Sequence, residues 1–288
     1  MGMRSMCRIT PGIKAQRCPA GRSLILVFAL RPAWVYACAM RTPAALLLAC
    51  LLALPAFAAD APKTAPKADA KPAVRKPLAE QPLRMANDIA AFEAQDKANP
   101  PPRHALLLSG ASSLRMWKNV DEALKPYPVI NRGFGGSYTT EVLGYMDRIT
   151  LPYHPRVVVF HCGGNDVNAG DPAEAPLGRI RDYVKRLRKD NPDTAVVFMA
   201  TTRAPSRKAK WPELDKFNAG LAAYCKEESN VWFVDINPAL NQSSGEGKEG
   251  HYLKDNLHPS ELGYQEIAKV LKPAVDAAWK ATEKAFKR

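Results

Sequence analysis

Val157-Val158-Val159-Phe160-His161-Cys162-Gly163-Gly164-Asn165-Asp166 is a short, continuous apolar run that breaks into a small, polar end. A run of this length without polar alternation fits a strand buried on both faces, the habit of a parallel sheet covered by helices. Two other stretches share the design. Ala105-Leu106-Leu107-Leu108 runs into Ser109-Gly110-Ala111-Ser112-Ser113, and Val129-Ile130 leads through Asn131 and Arg132 to Gly133-Phe134-Gly135-Gly136-Ser137. Strands are therefore expected at 105–108, 128–131 and 156–161, with two more at 194–201 and 230–236.

Between these strands the apolar period lengthens to that of a helix. Ile180, Tyr183, Val184 and Leu187 share one helical face, as do Leu214, Phe217, Leu221 and Cys225. Ile89 and Phe92 mark an earlier helix that ends before Asn99-Pro100, and a last helix starts near Ser260 and runs through Ile267, Leu271 and Val275. Alternating strands and helices predict an α/β fold, a three-layer α/β/α sandwich around a five-stranded, mostly parallel sheet. The Gly-rich and polar ends then fall at the carboxyl ends of the strands, where open sheets of this kind hold their ligands.

Near the C-terminus stands Leu253-Lys254-Asp255-Asn256-Leu257-His258-Pro259. A nucleophilic serine needs a neutral imidazole beside it and a carboxylate on the far ring nitrogen to hold the tautomer. Asp-x-x-His supplies both from one loop, and Pro259 keeps His258 in extended chain ahead of the last helix. Gly133 to Ser137 does not make a phosphate cradle. Tyr138 stands where Gly-x-Gly-x-x-Gly needs its third glycine, and no Gly-Lys-Ser/Thr follows.

Taken in order, these four segments resemble the SGNH hydrolases, also called the GDSL esterase/lipase family, over roughly residues 85 to 288. The resemblance implies the flavodoxin-like SGNH fold, with Ser112 as nucleophile in Gly110-Ala111-Ser112 and Asp255 and His258 as its partners. It further implies an oxyanion hole made by Ser112, by the backbone of Gly136 and by the amide of Asn165. The family's common Gly-Asp-Ser reads Gly-Ala-Ser here, with Ala111 in place of Asp, so the choice of Ser112 over Ser109 and Ser113 rests on the Gly-x-Ser register. A branch with Gly-Ser-Ser-Ser-Ile-Arg-x-Trp is similar to Gly110 through Trp117. The implied activity is an exported serine esterase acting on carboxylic esters of short acyl or acetyl groups, carbohydrate esters among them, with no cofactor and no metal. Two alternatives are a lysophospholipase or thioesterase of the same fold, and a catalytically silent envelope protein that binds glycans.

Composition narrows the partners. The chain has 288 residues and a formal charge of +13, but residues 1–58 hold seven Arg and Lys and no Asp or Glu. Without them 34 basic residues face 28 acidic ones, and no basic stripe with interleaved aromatics argues for nucleic acid. Met40-Arg41, the apolar run 44–54 and Ala56-Phe57-Ala58 have the layout of a secretory signal peptide, too short to span a membrane. Residues 1–39 then read as an upstream extension or a mis-assigned start, and the protein as periplasmic or secreted. Leu47-Leu48-Ala49-Cys50 resembles a lipobox, a secondary reading. Residues 59–84 are rich in Ala, Pro and Lys and are expected to form a disordered tether before the hydrolase domain at 85–288. Cys162 and Cys225 are expected as free thiols. His161 is expected as a core or supporting residue, and Arg115, Trp117 and Arg132 as packing and ion-pair residues. Two segments without helical pattern, 203–211 and 237–254, are expected as loops that finish a pocket, and the basic residues of the first with Trp211 suggest a sugar or an anionic acyl ester.

Overall fold

Neighbouring residues on each strand face opposite layers, and each layer is filled by a different set of helices. In the computed structural model, which describes residues 81–287, five strands form one sheet: β1 Leu106–Gly110, β2 Val129–Gly133, β3 Val157–His161, β4 Ala195–Met199 and β5 Val231–Val234. Every adjacent pair is parallel and the order is β2-β1-β3-β4-β5, so the expected mostly parallel sheet is parallel throughout. On one face Leu107, Val158, Val196 and Phe198 pack with Ile180, Tyr183, Val184, Leu187, Leu214, Phe217 and Leu221 from helices Glu174–Asp190 and Trp211–Glu227. On the other, Leu106, Leu108, Val157, Val159 and Val197 meet Ile267, Leu271, Val275 and Ala278 of helix Glu261–Ala281. This is the three-layer sandwich expected from the sequence, with each strand's residues divided between two dry layers.

The strands shift from their expected bounds for identifiable reasons. β1 continues through Ser109 and Gly110 because both stay in register with β2 and β3. β4 and β5 stop short of their expected ends. Beyond Met199, the Thr201 N–H and C=O are taken over by the Asn218 side chain (2.8 and 2.9 Å), and Asp235 turns the chain by accepting the Asn237 N–H at 3.0 Å. Neither segment expected to be loop is wholly so: 203–211 contains the 3-10 helix Pro205–Lys210, and 237–254 opens with helix Asn237–Leu240.

Helix Glu261–Ala281 starts where the Ser260 hydroxyl accepts the Gly263 N–H at 3.1 Å, an N-cap that fixes the chain leaving His258. Arg84, expected at the end of the tether, is already anchored, its Nε 2.6 Å from the buried carboxylate of Glu141. The expected signal peptide and most of the tether lie outside the described residues. None of the described helices is long and apolar enough to cross a membrane.

Candidate active site

The sheet order reverses between β1 and β3, and the segments leaving these two strands diverge to opposite faces, which opens a crevice at their carboxyl ends. Ser112 follows β1 and Asn165 follows β3, so topology alone brings both to that crevice. Gly110 lets the strands close up. A Cβ at this residue would lie 2.1 Å from the His161 carbonyl oxygen, at a φ of +149°. Ala111 then donates its N–H to the same carbonyl at 2.9 Å, which pins the first turn of helix Ser112–Arg115 against β3.

Ser112 Oγ lies 2.8 Å from His258 Nε2, and His258 Nδ1 lies 2.6 Å from Asp255 Oδ2. Asp255 Oδ1 also accepts the backbone N–H groups of Leu257 and His258, at 2.9 and 3.0 Å. Burial pushes the Asp255 carboxyl up, but the bonds from the His258 ring and the two backbone donors outweigh it and hold the group down at about 2. An ionised carboxylate can only accept, so Nδ1 carries the ring proton. In the neutral imidazole Nε2 is then left as acceptor for the Ser112 hydroxyl. Of the neighbouring serines, Ser109 is fully buried within β1. Ser113 borders the cleft, with its carbonyl accepting the Tyr264 hydroxyl at 2.7 Å, and His258 bonds to neither.

The other expected residues fall around this pair. Asn165 lines the cleft, and its Nδ2 donates to the Ser137 carbonyl at 2.9 Å. Gly136 sits one residue earlier on an exposed turn at a φ of +69°, and its N–H makes no bond to another described residue. Its glycine is needed for that backbone conformation. A Cβ there would meet only the Met85 methyl, at 3.5 Å. The Ser112 N–H opens its short helix and likewise makes no internal bond.

Residues 104–266 match the profile of the GDSL-like Lipase/Acylhydrolase family, more than half of the chain. The protein belongs to this family. A GDSL-like lipase from Bacteroides thetaiotaomicron superposes with a TM-score of 0.58 at 19% identity, covering 66% of this chain and 98% of that one. A protein described as an acylhydrolase, from Bacteroides fragilis, gives 0.58 at 23%, covering 66% and 96%. An acetyl-xylooligosaccharide esterase from Geobacillus gives 0.50 at 15%, covering 60% and 95%. No protein of curated function matches the sequence.

Within this GDSL-like site, Ala111 belongs to the apolar cluster that holds Phe134 and Cys162, and it also lines the cleft beside Ser112. His161 is buried against the same cleft. Burial pushes its imidazole down to about 4, against the pull of the Met199 and Ala200 carbonyls, so it is neutral. Trp117 stacks on Tyr264 at 5.2 Å, while Arg132 is buried in a cluster with Asp96 and Tyr153, the packing and ion-pair roles expected of them. Arg115 lies along the backbone of Gly135 on the exposed side. Cys162 and Cys225 are free, and burial raises both thiols, Cys225 to about 12.

One cleft residue was not singled out in the sequence. Arg207, from the basic segment after β4, lines the cleft and donates from Nη2 to Asn165 Oδ1 at 2.7 Å. The cleft encloses about 40 Å³. A larger hollow of about 720 Å³, lined by Arg203, Asp215, Asn218 and Lys248 among others, shares no residue with it. No group of three or more His, Cys, Asp or Glu side chains among the described residues is arranged to hold a metal ion.

Proposed function

We propose that this member of a carboxylic ester hydrolase family cleaves short-acyl esters through an acyl-enzyme on Ser112, outside the cytoplasm. The observation that carries the reading is the continuous bond chain from Ser112 Oγ through His258 to Asp255, at 2.8 and 2.6 Å. Ser112 Oγ attacks the ester carbonyl as His258 Nε2 takes its proton, and Asp255 steadies the imidazolium without being protonated. The negative charge that builds on the carbonyl oxygen is met by the Ser112 and Gly136 N–H groups and by the second hydrogen of Asn165 Nδ2. His258 returns its proton to the departing alkoxide, the alcohol leaves, and the acyl group stays on Ser112. Water, deprotonated by the same imidazole, then releases the acid and restores the serine.

A cleft of about 40 Å³ has room for about three water molecules. That size supports an acetyl-like acyl group over a fatty one. For the alcohol we favour a carbohydrate carrier, since one protein of similar fold is described as an esterase of acetylated xylooligosaccharides. The test is a series of p-nitrophenyl esters from acetate to decanoate beside acetylated xylan. The reading expects acetate to be turned over fastest, with acetate released from the polymer. Fastest turnover of the longest chain would contradict it.

A further inference from the structure

Asn165 can serve an oxyanion only if its amide is turned the right way round, and what fixes that turn is Arg207. A guanidinium has donors and no acceptor, so the atom facing Arg207 Nη2 at 2.7 Å must be the amide oxygen. A backbone carbonyl only accepts, so the atom 2.9 Å from the Ser137 carbonyl must be the amide nitrogen. The two contacts agree, and they leave one Nδ2 hydrogen unspent on the cleft side.

Three features show that this contact is built in. Arg203 and Lys208, on the same segment, pair with Asp215 and Glu246 at 3.4 and 2.5 Å. Arg207 has no carboxylate partner among the described residues. Burial lowers its pKa, and its bond to Asn165 is to a neutral amide. Removing a guanidinium from water without a counter-ion costs free energy, so this placement is retained against its own solvation. Gly164 clears the path, since a Cβ there would stand 2.9 Å from the Thr201 methyl and 3.4 Å from Arg207 Nη1. The segment is also fixed at both ends: Trp211 Nε1 donates to the Ala204 carbonyl at 3.0 Å, and Ser206 donates N–H and Oγ–H to the Asn256 carbonyl at 3.1 and 2.9 Å. Asn256 lies between Asp255 and His258, so one short segment braces the imidazole loop and reaches the amide across the cleft.

We infer that Arg207 is a positioning residue that orients and polarises the Asn165 amide as an oxyanion donor. Drawing electron density towards Oδ1 makes the free Nδ2–H a stronger donor. The attraction of the fixed positive charge behind it grows as negative charge develops on the substrate oxygen, which is transition-state and not ground-state stabilisation. The inference rests on the acyl-enzyme reading above, and the two fail separately.

The test is a double-mutant cycle on p-nitrophenyl acetate, a neutral ester that offers Arg207 no charge to bind. Asn165→Ala should lower kcat by about 10² to 10³, and Arg207→Ala by roughly 10 to 10² with KM nearly unchanged. The double variant should fall within about threefold of Asn165→Ala alone, because Arg207 acts only through that amide. Arg207→Lys, which keeps a donor without the planar fork, should recover part of kcat, and it carries the test if Arg207→Ala fails to fold. Losses that multiply in the double variant would overturn the inference. So would an Arg207 variant with normal kcat, or one whose defect lies in KM and appears only for an ester with an anionic acyl group. If Ser112→Ala retains turnover, the acyl-enzyme reading fails instead, whatever the cycle shows.

Discussion

One carboxylate, that of Asp255, both folds the loop of His258 and orients its ring. Oδ1 accepts the His258 backbone N–H at 3.0 Å while Oδ2 accepts the ring Nδ1–H at 2.6 Å. An amide in place of the carboxylate can still accept the backbone donors through its oxygen, but it presents NH₂ to Nδ1. The ring must then accept at Nδ1 and carry its proton on Nε2, where Ser112 needs a base.

Asp255→Asn should therefore fold normally and lose about 10⁴ in kcat, less than the loss of about 10⁶ expected of His258→Ala. Steady-state kinetics on both purified variants measures the gap. With Asp255 held down at about 2, its carboxylate stays charged throughout the working range, so Asp255 does not set the pH dependence of turnover near neutrality. A smaller loss for His258→Ala than for Asp255→Asn would contradict the assignment of roles.

His161 couples stability to pH. Its imidazole is pushed by burial from 6.5 to about 4 in the folded chain. Between those values the unfolded chain binds a proton that the folded one does not. Its contribution is complete above about pH 6.5 and falls as the pH drops towards about 4. The thermal midpoint of His161→Gln should decline less steeply than wild type across this window. Parallel curves would show that His161 is not the group responsible.

Both thiols of the described residues should be inert near neutral pH. Burial raises Cys162 and Cys225, the latter to about 12, so little thiolate is present to react. Native protein treated with iodoacetamide at pH 7.5 should keep its activity and show no adduct on either cysteine by mass spectrometry. Rapid modification of Cys162 with loss of turnover would contradict this.

Export is testable directly. The apolar run ending in Ala56-Phe57-Ala58 leads us to expect a mature chain beginning at Ala59. N-terminal sequencing of protein from the host's envelope fraction should read Ala-Asp-Ala-Pro. A chain starting at Met1 or Met40 in the cytoplasm would rule it out.

Strands β1, β3 and β4 were legible because their apolar runs are continuous and buried on both faces, as Val157 to Phe160 are. Ser112 and His258 stand 146 residues apart, and their meeting was legible only through the ordered motifs, since no local pattern encodes it. The meaning of Arg207 was not legible. Residues 203–210 offer four cations, and which one turns inward depends on the kink at Arg207 itself, whose φ and ψ of −113° and 22° depart from the surrounding 3-10 helix. The bond to Asn165 spans 42 residues and leaves no periodic trace. The end of β1 was hidden for a related reason. Ser109 and Gly110 are poor strand formers on their own and are held in β1 by pairing with β2 and β3.

The most direct test of the account is which serine reacts. Mass spectrometry of protein treated with a fluorophosphonate should find one adduct, on Ser112, the residue bonded to His258 Nε2 at 2.8 Å. Ser112→Ala should take up no label and lose about 10⁶ in turnover. A label on Ser109 or Ser113, with Ser112→Ala still active, would contradict the register and the mechanism built on it.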